Sequence, residues 1–418
     1  MSFKISEVCD INSLNLSKND NLKTINYLDT ANLNVGTVDE LQYMEVGKDK
    51  IPSRAKRIVR KNDILISTVR PNQKHYGIIK NVAKNMVAST GFAVLTPKKD
   101  KVDPGYIYNY LIQDHITTYL HSIAESSTSA YPSIKPSVIG ELEVDLPPLE
   151  EQKAIAHILS TLDDKIEVNN QINKTLENMA QAIFKQWFVD FEFPNEDGEP
   201  YRSSGGEMVE SELGMIPKGW EVKKVEQVTK IIRGASPRPI QDFIRDEGIP
   251  WVKISDASSS NTRFISSTKE FIKEEGRKKS REVKVGTLIL SNSATPGIPM
   301  IMKIDACVHD GWLIFDEFRE VTKEYMFHFL TENRIGILSL SNGSVFRNLK
   351  TDILKNYKII IPSRDVVVRV DNIFKSINNS IDNIENQITT LTKIRDGLLT
   401  KLMSGEIRVP LDEEGDVS

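Results

Sequence analysis

The 418-residue chain has two cysteines, Cys9 and Cys307, and six scattered histidines. Two thiols cannot build a disulfide framework, and no His and Cys stand at metal-ligand spacing. A reducing, cytoplasmic setting and no bound metal are therefore expected. No apolar run approaches the ~18 residues of a membrane span, and the first residues, MSFKISEVCD, lack the apolar core of a secretory signal. There is no G-x-x-x-x-G-K-[ST], no G-x-G-x-x-G after a strand and no H-E-x-x-H, so the nucleotide and zinc-hydrolase sites with those signatures are not expected. Ser133-Ile134-Lys135 and Glu282-Val283-Lys284 are too short to specify chemistry, and a nuclease needs additional metal-binding carboxylates. The formal charge of −4 gives no overall attraction for nucleic acid, but that attraction depends on where the charges cluster. No catalytic constellation emerges, and no enzymatic activity is expected of the chain.

What is present is a long amphipathic pattern over residues 149–190. Ile155, Leu159, Leu162, Ile166, Leu176, Ala180, Ile183 and Trp187 follow one another at heptad spacing, which lays one apolar seam along a helix. Asn169 and Asn173 occupy seam positions between them, where a buried Asn costs stability but fixes register. A break near Asn169 and Asn170 into two ordinary helices is the alternative. Leu146-Pro147-Pro148-Leu149 ahead of the seam reads as a strand exit into a helix with proline in its first turn. Residues 365–403 repeat the seam through Ile377, Ile381, Ile384, Ile388, Leu391, Leu398 and Leu402, with Arg395 as an exception, and the copies lie 215 residues apart. Neither seam would be stable alone in water, and two can close on each other as an antiparallel pair.

The repeat extends beyond the helices. Phe3 to Val8 matches Trp220 to Val225, Asp63 to Ser67 matches Thr287 to Ser291, and Gly91 to Leu95 matches Gly311 to Phe315. Short β-branched runs broken by Gly, Pro, Asn and Ser predict strands. The expected architecture is α+β: two β-rich globular domains separated by a coiled-coil-like pair of long antiparallel helices, with an internal pseudo-twofold repeat. The boundaries read as a first domain over 1–148, a first long helix over 149–193, a polar Gly/Ser-rich linker over 194–217, a second domain over 218–362, a second long helix over 363–405 and a loose acidic tail over 406–418. The halves share a pattern but differ in most surface residues, which suits one scaffold presenting two surfaces.

Two basic runs stand out. Residues 48–61 hold seven Lys/Arg against one Asp, among them Arg54, Lys56, Arg57 and Arg60; residues 271–284 hold six against three Glu, among them Arg277 and Lys278. Such runs suit phosphate contacts and equally suit a solvated face. Two polar loops precede the terminal strand of each half: residues 126–135, with Ser129, Tyr131 and Lys135, and residues 341–350, with Asn342, Ser344 and Arg347. These side-chain types read base edges but also make ordinary turns. Arg70 joins the first set, and the turn Arg233-Gly234-Ala235-Ser236-Pro237-Arg238 adds two arginines to the second.

In this order, Leu146-Pro147-Pro148-Leu149-Glu150-Glu151-Gln152-Lys153-Ala154-Ile155, Leu162-Asp163-Asp164-Lys165-Ile166, Gln181 to Phe188, Gly214 to Trp220, Gly234 to Arg238 and Leu398 to Gly405 resemble the specificity subunits of type I restriction-modification systems over nearly the whole length. Ile361-Pro362-Ser363-Arg364 departs from the family's repeated Pro-Pro-x-x-Glu-Gln, so the second helix is expected to start differently or pack less well. The resemblance implies two target-recognition domains, each reading half of a split, asymmetric site in double-stranded DNA, with the helix pair setting the gap. It implies two copies of a DNA methyltransferase (modification) subunit and a restriction/motor subunit as partners, with S-adenosylmethionine and ATP/Mg on those subunits and no cofactor here. The helix-pair residues are Ile155, Leu159, Leu162, Ile166, Ile377, Ile381, Ile384, Leu398 and Leu402. Trp187 and Phe188 are adjacent and cannot both face the seam, so one is expected to meet the methyltransferase or to pack on the neighbouring domain. A helical scaffold without DNA reading and a self-contained nucleic-acid methyltransferase are the alternatives.

Overall fold

A computed structural model describes residues 2–17, 20–127, 131–258, 262–340 and 348–410. The chain divides into two compact units, residues 1–168 with 387–418, and residues 169–386. The dividing points fall inside two 40-residue helices, Leu149–Phe188 and Arg364–Met403. The second helix starts 215 residues after the first, so the altered sequence at Ile361–Arg364 does not shift its start. None of the helices is long and apolar enough to cross a membrane among the described residues.

In the first unit two four-stranded sheets face each other. One runs Gln42–Glu45, Thr24–Leu28, Met86–Ser89, Ala55–Ile58; the other runs Cys9–Ile11, Phe92–Pro97, Ile64–Ser67, Tyr76–Ile78. The period-2 alternation of a strand divides the central residues. Leu65 and Val94 point into the core between the sheets with Leu28 and Met86. Ile64, Ile66, Ala93 and Leu95 point the other way, into a cluster with Ile107, Leu120, Ile155, Leu159 and Leu402. That second cluster holds the ends of both long helices to the β domain.

The second unit repeats the plan with five-stranded sheets. Phe92 stands opposite Ser67 and Leu95 opposite Ile64 in the first unit; Trp312 stands opposite Ser291 and Phe315 opposite Leu288 in the second. Ile289 faces the inter-sheet core with Val252 and Val308, while Leu288 and Leu290 face the cluster that contains Ala180, Phe184, Phe374, Ile377 and Ile381. Trp187 and Phe188 are both buried there. Phe188 packs edge-on to Tyr325 at 4.8 Å and lies 5.9 Å from Trp220, because the chain reverses after the helix and brings Phe191 and Phe193 back over it. Packing on the neighbouring domain thus accounts for both residues.

The polar contacts anchoring the helices differ between units. Glu151 of the first helix, almost fully buried, accepts from Arg408 at 2.9 Å, and Gln152 accepts from the Asp103 backbone at 3.0 Å while donating to the Pro147 carbonyl at 2.9 Å. Arg395, the exception in the seam, donates to Asp163 at 3.0 Å. In the second unit the residues 215 positions after Glu151 and Gln152 are Val366 and Val367, both buried. The polar anchor there is Arg263, which is buried, forks onto both oxygens of Glu177, donates to Asn378 at 2.7 Å and lies over the Phe327 ring at 4.6 Å.

Two regions differ from the sequence expectation. Residues 194–217, read as a polar linker, are folded onto the structure: Tyr201 stacks on Phe193 at 4.6 Å, and Met208–Ser211 pairs with Gly214–Pro217 as a hairpin. Residues 406–410 are held by Arg408 and by Val409 against the first unit's core, whereas 411–418 lie outside the described residues. Along the seams Ile155, Leu159, Ile377, Ile381 and Leu402 are buried, and Leu162, Ile166, Ile384 and Leu398 are half-buried. Asn169 and Asn173 are buried, and neither polar end of the Asn173 amide meets a partner.

Two predictions follow the buried polar groups of the second unit. Arg263→Met strands the Glu177 carboxylate and is expected to cost about 3–5 kcal/mol, whereas Arg263→Met with Glu177→Met costs less than the sum of the single changes. Urea unfolding of the three variants measures this, and additive losses would show that the pair is not coupled. His328 donates from Nδ1 to Gln181 at 3.1 Å, packs tilted against the Phe374 ring at 4.3 Å and buries an unpartnered Nε2. Burial, together with the positive Arg263, pushes its pKa down to about 3. The unfolded imidazole titrates near ~6.5, so the unfolded state binds the extra proton between these values and stability falls as pH drops through that window. Replacing His328 by Phe should flatten the loss between pH 6.5 and 4, read from unfolding midpoints at each pH; an unchanged slope means the folded imidazole is already charged.

Candidate nucleic-acid interface

The same backbone frame closes one end of the central strand in each unit. In the first, the Thr68 N–H donates to the Gly91 carbonyl at 2.8 Å and the Ile134 N–H donates to the Thr68 carbonyl at 2.9 Å. In the second, the Asn292 N–H donates to Gly311 at 2.8 Å and the Leu349 N–H to Asn292 at 2.8 Å. Two steps past Thr68 and Asn292 the chain enters the left-handed region at a non-glycine residue, Arg70 with φ 47° and Ala294 with φ 56°. Such residues are uncommon and persist only where neighbours hold them. Here the neighbour for Arg70 is the polar loop: its N–H donates to Pro132 at 2.9 Å, and its guanidinium lies 5.4 Å from the centre of the Tyr131 ring.

Arg70, Tyr131 and Lys135 are therefore brought to one corner of the first unit. Arg54 joins them, because its carbonyl accepts from Thr90 at 2.8 Å next to Gly91. Lys56 points outward from the strand Ala55–Ile58. Arg57 is turned partly inward and donates to Asn15 at 2.6 Å, and burial lowers its pKa. Arg60 is separated from the group: its N–H donates to Asp63 at 2.7 Å, at the opposite end of the strand Ile64–Ser67 from Arg70. Arg54, Lys56 and Lys135 are exposed and form no ion pair among the described residues. Ser129 lies outside the described residues.

In the second unit Arg233, Asn292, Ser293, Asn348, Leu349, Lys350 and Thr351 line a cleft of about 250 Å³. Arg233 donates from Nε to the Asp310 carbonyl at 2.9 Å, and Arg238 approaches the Asp310 carboxylate at 3.6 Å. The second basic run abuts this turn, since the Ser280 hydroxyl donates to the Ala235 carbonyl at 2.8 Å. Its Arg277 is largely neutralised by Glu274 at 3.1 Å and Glu282 at 4.0 Å; Lys278 is exposed. Asn342, Ser344 and Arg347 lie outside the described residues. The first unit thus offers unpaired cations and the second offers arginines held by carboxylates. Sequence reasoning missed Thr68, Asn292 and Asp310. Asp310 precedes the repeated Gly311-Trp312, but only the pairing of Arg233 with Leu313 places it beside Arg233.

No group of three or more His, Cys, Asp or Glu could hold a metal ion among the described residues. Cys9 is buried, and burial pushes its thiol up to about 12, away from the reactive thiolate.

A sequence model of the type I restriction modification DNA specificity domain matches residues 1–178 and again residues 217–393. The chain belongs to that family. Relatives include the type I restriction enzyme HindI specificity subunit of Haemophilus influenzae, 28% identical over 91% of this chain and 95% of its own, and the MjaIX specificity subunit of Methanocaldococcus jannaschii, 30% identical over 88% and 84%. The fold is similar to the crystal structure of a type I restriction-modification system S subunit from M. genitalium, with TM-score 0.55 and 15% identity over 96% of this chain and 95% of that one. The two family matches start at residues 1 and 217, one on each half of the chain.

Charge pairing separates the basic side chains into testable classes. Each unpaired cation that touches a phosphate contributes about one counterion to the salt dependence of DNA binding. Arg54→Gln and Lys56→Gln should each lower the slope of log K against log salt by about one unit. Arg277→Gln should lower it less, because its glutamates already compensate it. Anisotropy titrations on duplex DNA at several salt concentrations check this, and wild-type slopes for Arg54→Gln and Lys56→Gln would remove the first run from the interface.

Proposed function

We propose that the chain is the DNA-reading specificity subunit of a type I restriction-modification complex and is itself non-catalytic. The observation that carries this is the duplicated strand-end frame with different side chains: Arg70 and Tyr131 on one copy, Asn292, Arg233 and Lys350 on the other. Identical backbone supports with unlike donors suit two different base sequences. Each unit would read one half of a split, asymmetric site, its exposed cations gripping phosphates for register while a few side chains meet base edges in the groove.

One half-site discriminates poorly, at ~1–3 kcal/mol per mismatched pair. Two half-sites read by one chain combine without a second association cost, which is the role inferred for the helix pair, with the unread gap set by its length. Methyltransferase subunits, two copies in this reading, would dock on the helices. Ile172 and Met179, exposed and seven residues apart on the first helix, offer one apolar face for them. S-adenosylmethionine, ATP and Mg would be used by the methyltransferase and motor subunits.

Mapping methylated adenines in cells that express this chain with its neighbouring methyltransferase gene, against the methyltransferase alone, tests the reading. A split motif that needs this chain is expected; no motif from a soluble, associated pair overturns it in favour of a scaffold. Four residues inserted near Asn169 add about 6 Å of helix, which should lengthen the gap by one or two base pairs and leave both half-sites intact. An altered half-site with an unaltered gap would sink the ruler.

A further inference from the structure

The turn Arg233–Arg238 is pressed against the strand that precedes Gly311. The Gly234 N–H donates to the Trp312 carbonyl at 2.9 Å and the Ala235 N–H to Val308 at 3.2 Å. A Cβ on Gly234 would stand 2.2 Å from the His309 carbonyl oxygen, so only glycine permits this approach. The carboxylate that meets the turn is Asp310. Its Oδ1 accepts from the Ser236 hydroxyl at 2.6 Å, and its Oδ2 lies 3.9 Å from Arg233 Nη2 and 3.6 Å from Arg238 Nη2. Arg233 is further tied through Nε to the Asp310 carbonyl at 2.9 Å. Yet the two arginine side chains remain 61% and 79% exposed, so both retain N–H groups open to a ligand.

Two ligand classes take an arginine fork on DNA, phosphate oxygens and the O6/N7 edge of guanine. The carboxylate decides between them. A full negative charge beside the guanidiniums cancels much of their attraction for a phosphate and repels it directly. A neutral guanine loses far less, and it gains from a fork that is already tied, as Arg233 is through its Nε to the Asp310 carbonyl. The matching position of the first unit, by the alignment of Gly91 with Gly311, is Thr90, which has no carboxylate.

We propose that Asp310 is a positioning residue that aims Arg233 and Arg238 at guanine edges in the half-site read by the second unit. The proposal rests on the DNA-reading function above and adds both a residue and a base class to it. The half-site of the second unit contains at least one G·C pair that depends on these arginines. The first half-site does not respond to Asp310.

The test is the methylated-adenine map with the assembled methyltransferase, comparing wild type, Asp310→Asn and Arg238→Gln. Asparagine keeps the shape and an acceptor for Ser236 while removing the charge. Expected is a relaxed guanine position in one half-site, by about ten-fold or more in relative methylation, with the other half-site unchanged; a merely structural loss would lower both together. Arg238→Gln lies on an exposed side chain, so it serves if Asp310→Asn fails to fold, and it should relax one G·C position. An unchanged motif for the soluble variants overturns the proposal. So does a uniform fall across all sequences with a smaller salt slope, which would mark the arginines as phosphate contacts. A wild-type split motif without G·C in the responding half overturns it while leaving the DNA-reading function standing, whereas a wild-type chain that directs no motif overturns both.

Discussion

The apolar stripes of the two long helices must be kept from water, and the rest of the molecule is arranged around that. A helix of this kind gains too little from its backbone hydrogen bonds to stand alone, and its stability comes from packing. Each unit supplies the packing from its own β domain. Ile155, Leu159 and Leu402 enter one core, while Ala180, Phe184, Phe374 and Ile381 enter the other. As a result neither unit is a simple stretch of sequence: the first is completed by residues 387–418, and Arg408 reaches Glu151 across 257 positions.

The two copies reach similar packing by different chemistry. The first uses Glu151 and Gln152, which fix the helix start against Asp103, Pro147 and Arg408. The second has Val366 and Val367 there and places its buried polar anchor at Arg263 and Glu177. Apolar burial gains stability in proportion to area but has little direction. A forked Arg–carboxylate pair has direction, at the cost of desolvating two charges. The second unit holds helix to domain with such a pair, and the first does so with the Gln152 hydrogen bond to the Asp103 backbone, which suits reading surfaces that must hold their aim.

At the candidate interface the duplicated frame separates support from specificity. Hydrogen bonds from Thr68 and Ile134, or from Asn292 and Leu349, are made by backbone groups and recur with different residues in the two copies. The side chains they present are then free to differ. One unit carries unpaired lysines and arginines with an Arg–Tyr stack, and the other holds its arginines on Asp310. Membership of the specificity-domain family and the double match of its sequence model fit this division of labour.

The repeat, the two long helices and the β-rich character of each half were legible in the sequence, because heptad spacing, strand alternation and Gly/Pro punctuation are local signals. Arg70, Tyr131 and Lys135 could be named from composition, and so could the turn at Arg233. Their grouping could not, because it depends on which strand ends meet: Arg60 sits in the same basic run as Arg54 yet falls at the far end of a strand. Nor could Trp187 and Phe188 be placed, since a reversal after the helix brings Phe191 and Phe193 over them. Arg263 and Asp310 carry no motif at all. Their partners, Glu177 and Arg233, are 86 and 77 residues away in sequence, and only the packed tertiary structure brings each charge to its counter-charge.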